Sequence, residues 1–186
     1  MIEIKFIGRG GQGVKTASYI VAFTAFKDSY DVQAFPEFGP EREGAPVFAF
    51  TRIDKDPIKV HFGIKTPNIV VVIDPTLISE IDCFSGIKDG GSILINTSED
   101  LSKFKKLLPK KGKLFTVDAS DIAIKNFGKN IPNTPMLGAL CKVYPELNLK
   151  SLQNEIKAKF EKKLSKELVL KNLKAIELAY KEVKVL

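Results

Sequence analysis

The sequence predicts an α/β fold, in three layers, with a mainly parallel sheet and helices on both faces. Three observations carry this. A β-rich run, Ile2 to Ile7, leads through a glycine turn into a helical stretch. A continuous β-branched run, Ile69 to Ile73, has the composition of a strand covered on both faces. Strand and helix patterns then alternate through the middle of the chain, as in parallel-sheet proteins.

Taken in order, Ile2 to Ile7 is the first strand, and Val14 to Lys27 is a helix with Ala17, Ile20, Val21 and Thr24 on one face. Asp31 to Phe35 is a second strand. Pro36 to Pro46 contains three prolines and two glycines, which forbid regular structure and restrict the backbone, so it reads as a shaped loop. Val47 to Ile53 alternates as a strand. Lys55-Asp56-Pro57 turns the chain, and Ile58 to His61 is placed to complete a hairpin. After Ile69 to Ile73, Pro75 to Phe84 has a helical pattern. Ser92 to Ile95 is a strand, and Ser98 can cap a helix running to about Leu108. Leu114 to Val117 is a further strand, followed by a helix from Asp118 to Phe127 that Gly128 can end. Pro132 to Pro135 has helix-start chemistry, continued by Met136 to Val143. Leu149 to Lys163 and Lys166 to Lys184 are amphipathic helices. Residues 1–186 read as one domain, with lysine-rich helices from about 149 onward.

Composition narrows the function. No apolar run approaches the roughly 20 residues of a membrane span, and Gly8 to Gly13 interrupts the first apolar stretch too early for a signal peptide. A cytoplasmic protein is expected, with no membrane partner. Two cysteines, Cys83 and Cys141, cannot supply the four thiolates of an iron–sulfur cluster, and no zinc spacing is present. They read as buried free thiols. His61, the one histidine, lacks the neighbours of a catalytic triad. Residues 1–100 carry a net charge of −4 and residues 101–186 a net of +11. The lysines of the second part alternate with glutamates and apolar residues at helical spacing. They read as a solvated helix face, or as a face for an acidic protein, before they read as a nucleic-acid site.

Two motifs concentrate the chemistry. Gly8-Arg9-Gly10-Gly11-Gln12-Gly13 follows a strand and opens a helix, which is the setting of the dinucleotide fingerprint. Glycines permit close backbone approach, and the helix N-terminus offers free N–H groups to an anion. Arg9 would add a bidentate cation. An NAD site also wants an acidic residue closing the second strand. Glu37 lies in the proline-rich loop instead, and Asp31 is at the wrong end of its strand. Gln12 is a hydrogen-bonding candidate toward a ligand or a partner. Thr16, one turn into the helix, could lend a hydroxyl or simply be buried. The second motif is the loop FPEFGPEREGAPV, whose Glu37, Pro40, Glu41, Arg42 and Gly44 are candidate interface residues. Arg52 reads as structural. Asp74 closes the β-branched run, where α/β ligand sites lie, and can equally begin a helix.

GRGGQGVKTASYIVAFTAF, then VQAFPEFGPEREGAPVFAFTRID, then NTPMLGAL at Asn133 to Leu140, resemble the γ subunit of the pyruvate:ferredoxin oxidoreductase family of 2-oxoacid:ferredoxin oxidoreductases. The loop resembles the pyruvate and branched-chain types more than the 2-oxoglutarate type, where PSYGPEMRGG is more usual. One departure is Arg42-Glu43-Gly44, where the family often has Arg-Arg-Gly. The resemblance implies oxidative decarboxylation of a 2-oxoacid to acyl-CoA, with electrons passed to ferredoxin. It implies α, β and δ-type partner subunits. Thiamine diphosphate, Mg2+ and [4Fe-4S] clusters are then held elsewhere in the complex, with coenzyme A as co-substrate and no cofactor held by this chain alone. No catalytic residue and no metal ligand is implied here. The glycine turn and the 36–46 loop are then expected to face a subunit boundary.

Overall fold

The structure is a computed structural model that describes residues 1–37 and 44–186. Pro40, Glu41 and Arg42 of the second motif lie outside the described residues. A seven-stranded sheet has the order β2-β3-β1-β4-β5-β6-β7. Its strands are β1 (Ile2–Arg9), β2 (Asp31–Pro36), β3 (Pro46–Asp54), β4 (Ile69–Val72), β5 (Ser92–Asn96), β6 (Lys113–Val117) and β7 (Lys184–Val185). β1, β4, β5 and β6 pair in parallel, whereas β3 runs antiparallel to both β1 and β2, and β7 runs antiparallel to β6. Five strands therefore share one direction, which makes the sheet mainly parallel.

The strand alternation divides the core in two. Ile4 and Phe6 of β1, Val71 of β4 and Leu94 of β5 face the five α-helices: α1 (Val14–Lys27), α2 (Ala119–Phe127), α3 (Asn133–Val143), α4 (Leu149–Phe160) and α5 (Lys166–Glu182). Ile7, Val70, Val72, Ile93 and Ile95 face the opposite layer, formed by two short 3₁₀ helices and the chain around Cys83. The three expected layers are present, but the faces are covered unequally. Leu152, Ile156, Ala175 and Ile176 of the lysine-rich helices share one buried cluster with Ile4, so those helices are part of the core.

Four local expectations are corrected. Residues 58–61 form no strand, because side chains take backbone groups of this segment and of Phe62 just beyond it. The Ile58 N–H donates to Asp31 at 2.6 Å, the Val60 carbonyl accepts from Gln33 at 2.8 Å, and the Phe62 carbonyl accepts from Arg52 at 2.6 Å. The 75–84 segment is helical only as a 3₁₀ turn at Pro75–Ser79, capped by Asp74. It then unwinds so that Cys83 buries against the sheet and Ile81 and Phe84 pack beside it. The helix expected from Ser98 is a 3₁₀ helix, Leu101–Leu107, capped by Asp100, with Phe104 as its one buried residue. Finally, the chain leaves α5 at Glu182, and Lys184–Val185 pair with β6. They satisfy the hydrogen-bonding groups of what would otherwise be an open edge.

α3 packs tightly on α5. A methyl group at Gly138 would collide with the Ile176 carbonyl oxygen, so no larger residue permits this approach.

Candidate functional site

β1 and β4 are adjacent and parallel, but their connections leave on opposite sides of the sheet. β1 continues into α1 on the five-helix side, and β4 into the Pro75–Ser79 turn on the other. Such a divergence opens a crevice at the carboxyl ends of the strands. The glycine turn and Asp74 meet there.

Gly11 and Gly13 both have positive φ, 92° and 75°, which lets the chain reverse from β1 into α1. Gly13 is the N-cap residue of α1 and gives no side-chain cap. The amide of Asn133, at the start of α3, lies against Gly13 where a β-carbon would stand. The NTPMLGAL segment thus props the turn from below, a role its helix-start chemistry did not disclose.

Gln12 folds inward. Its Oε1 accepts from the Arg9 N–H at 2.7 Å, and its Nε2 donates to Asp74 Oδ2 at 2.6 Å. Arg9 is held from four directions. It donates to the Gly44 carbonyl at 3.0 Å, to Thr76 Oγ1 at 2.8 Å and to Glu80 Oε1 at 2.5 Å, and its Nε lies 3.4 Å from Asp74 Oδ2. Gly10 N–H donates to the Ala45 carbonyl at 2.9 Å. The turn and the C-terminal foot of the second loop are therefore joined through Arg9 and Gly10. At the other foot, exposed Glu37 extends the β2–β3 ladder, its N–H donating to Phe48 O at 3.0 Å.

Electrostatics follow from these contacts. The hydrogen bond to Glu80 is the largest influence on Arg9 and raises its pKa further. Burial pushes the Asp74 carboxyl up, but hydrogen bonds from Thr76 and Gln12 and the Arg9 charge outweigh it, holding it below the usual carboxylate range. The expectation of Arg9 as a free bidentate cation is corrected: two carboxylates already occupy it. The backbone half of the anion-binding argument is unaffected. Among the described residues, the N–H groups of Gly11, Gly13, Val14, Lys15 and Thr16 have no acceptor.

Gly8 is needed for packing, since a β-carbon there would meet Val14 at 2.7 Å. Thr16 turns away from the Arg9 cluster. With Asn133 and Thr134 it lines a cavity of about 420 Å³ between α1, α3 and the α4–α5 hairpin. Arg52 is fully buried and structural, bonded to Glu3 at 3.0 Å, to Gln33 at 3.0 Å and to Phe62 O. Thr76, Glu80 and Asn133 are site residues that sequence reasoning did not single out. For Thr76 and Glu80 no local signal exists; for Asn133 the motif itself was the signal. Among the described residues no group of three or more His, Cys, Asp and Glu could hold a metal. Both cysteines are free and buried, and burial pushes the Cys83 thiol up to about 11 and that of Cys141 up to about 12.

The dinucleotide reading of the turn fails on topology. β2 is separated from β1 by antiparallel β3, so its end lies two strands away, about 10 Å by ordinary strand spacing. In a dinucleotide site the acidic residue closes the strand beside the first.

The fold and the site define an α/β module whose glycine turn is braced against the end of β4 and the foot of the second loop. Comparison with known proteins makes the assignment. The family model for pyruvate ferredoxin/flavodoxin oxidoreductase matches residues 3–182. The chain is 47% identical over 186 residues to the pyruvate/ketoisovalerate oxidoreductases common subunit gamma of Thermococcus kodakarensis, covering 100% of this chain and 98% of the relative. It is 42% identical over 182 residues to the pyruvate synthase subunit PorC of Thermotoga maritima, covering 98% and 94%. The crystal structure of the pyruvate oxidoreductase subunit PORC from Thermotoga maritima superposes with a TM-score of 0.87 at 39% identity, over 99% of this chain and 97% of that one. The chain belongs to the pyruvate ferredoxin/flavodoxin oxidoreductase family, on its γ-subunit branch.

Proposed function

We propose that this chain is the γ subunit of a pyruvate:ferredoxin oxidoreductase, and that its glycine turn and second loop face the partner subunits beside the thiamine and coenzyme A sites. The observation that carries the placement is the Arg9 brace. It fastens the turn to Gly44, at the foot of the second loop, and to the Asp74–Glu80 segment, so these described segments meet as one preformed surface. Preforming a binding surface lowers the ordering cost of association. The N–H groups at the start of α1, which have no acceptor among the described residues, are then available to an anionic group or to a partner's carbonyls.

Membership of the family supports [4Fe-4S] clusters, thiamine diphosphate and Mg2+ being held by other subunits; among the described residues no group of three or more His, Cys, Asp and Glu could hold a metal. Those groups supply the decarboxylation and electron-transfer chemistry. This chain's own part is to shape and dry one wall of the site. Its Thermococcus kodakarensis relative is named as common to pyruvate and ketoisovalerate enzymes. A shared γ chain places the choice of 2-oxoacid in other subunits, and branched-chain 2-oxoacids are the second reading.

Reconstitution tests this. The purified chain alone should show no pyruvate-dependent reduction of a ferredoxin or viologen acceptor. Co-expression with the thiamine-binding and ferredoxin-like subunits should give a stable complex with coenzyme A-dependent activity. Activity of the isolated chain, or failure to co-purify, would overturn the proposal.

A further inference from the structure

On the side of α1 away from the sheet, Phe23 and Phe26 are 53% and 62% exposed. Single exposed apolar residues are ordinary, but these two are one turn apart on one helix. Phe23 also walls a depression of about 320 Å³ completed by Lys27, Glu155, Ala158, Lys159, Lys162 and Lys163. Its one carboxylate, Glu155, is paired with Lys27 at 2.5 Å. Among the described residues, Lys159, Lys162 and Lys163 have no carboxylate within 4.0 Å. The depression thus sets Phe23 and Ala158 beside three lysines that have no carboxylate partner among the described residues.

We propose that this face docks an acidic surface of another subunit of the oxidoreductase, one that inserts an apolar side chain between Phe23 and the lysines. The inference rests on membership of a multisubunit enzyme and goes beyond the placement of the glycine turn. Charge complementarity selects the partner's chemistry: residues 101–186 carry +11, so an acidic partner is attracted and a basic one repelled. The depression has room for a partner's apolar side chain against Phe23, and aromatic residues are enriched at interface anchors. Nucleic acid fits less well. No arginine follows Arg52, and the forked guanidinium is the side chain suited to planar recognition of bases and phosphates.

The test compares lysine acetylation in the isolated chain and in the purified complex. Lys159, Lys162 and Lys163 should be protected about tenfold in the complex, in line with a fully desolvated contact, whereas exposed Lys103 should not change. Zero-length carbodiimide coupling of the complex should join these lysines to Asp or Glu of another subunit. The triple variant Lys159→Glu, Lys162→Glu, Lys163→Glu should fold with an unchanged circular dichroism spectrum and assemble more weakly. Phe23→Ala with Phe26→Ala should weaken assembly without a dependence on salt. Equal acetylation in both states with no coupled carboxylate overturns the proposal. So does tight binding of the isolated chain to phosphatidylglycerol vesicles or to duplex DNA that the triple variant abolishes. If the chain never co-purifies with the thiamine-binding subunits, the γ-subunit placement itself fails. A complex that forms with the lysines still reactive refutes only the docking face.

Discussion

Gln12 is bonded at both ends of its side chain, to Asp74 at 2.6 Å and to the Arg9 N–H at 2.7 Å, so one amide ties the end of β1 to the end of β4. The consequence is testable without a partner. Gln12→Ala and Asp74→Asn should each lower stability by about 1–2 kcal/mol: the first removes a partner from buried Asp74 Oδ2 and from the Arg9 N–H, and the second replaces one of the two accepting oxygens by a donor. The double variant should lose less than the sum of the two. Thermal melts of the four proteins measure this, and strict additivity would mean the bond contributes nothing.

The same carboxyl predicts a pH dependence. Its folded pKa is lowered, so its contribution to stability is fully present above the unfolded value, about 3.9, and is lost as pH falls through the folded value. The gap in stability between the natural chain and Asp74→Asn should therefore hold from neutrality down to about pH 4 and close below it. A gap that persists at lower pH would show that the effect is not one of charge.

Two neighbouring glycines should respond differently to alanine. Gly11 has positive φ and nothing within 4 Å of a built β-carbon, whereas Gly13 has positive φ and the Asn133 amide in that space. Gly11→Ala should cost about 1 kcal/mol from backbone strain alone. Gly13→Ala should cost about 2–4 kcal/mol, strain plus overpacking. Adding Asn133→Ala should recover part of the second loss and none of the first, as denaturant unfolding would read.

Arg52 is fully buried, with Glu3 as its ion-pair partner and rings of Phe35 and Phe62 within 5.6 Å and 5.3 Å. Arg52→Ala should cost about 3–5 kcal/mol, since it leaves the buried Glu3 carboxylate with Lys88 at 3.4 Å as its one remaining cation among the described residues. Arg52→Met with Glu3→Gln should cost clearly less. Equal losses in the two would remove the charge argument.

Neither thiol should react with an aromatic disulfide reagent at pH 8 in the folded chain. Cys83 is pushed up to about 11 and Cys141 up to about 12, and both are buried. Denaturant should release two thiols per chain. Fast labelling before unfolding would place a reactive cysteine where none is described.

The strands and α1 were legible because their signals are local. Period-two and β-branched runs mark β1, β3 and β4, and Val14–Lys27 is bounded by the glycine turn as expected. The short crossovers were not legible. Apolar residues at 77, 81 and 84 mimic helical spacing, yet they serve an irregular segment laid over the sheet. Residues 58–61 look like a strand by composition, but Asp31 and Gln33 had already claimed the backbone groups of Ile58 and Val60, and Arg52 that of the next residue but one, Phe62.

The glycine turn shows the same division. Its backbone, its position after a strand and its family were written in Gly8 to Gly13 and the two later motifs, because turn geometry depends on adjacent residues. Whether Arg9 was a free cation could not be read locally. Its partners, Thr76 and Glu80, lie 67 and 71 residues away, and the foot of the second loop 35 away. They reach Arg9 only because β4 pairs in parallel beside β1 while β3 flanks its other edge. That strand order is set by long-range packing, and it turned an apparent anion-binding arginine into the brace of a preformed surface.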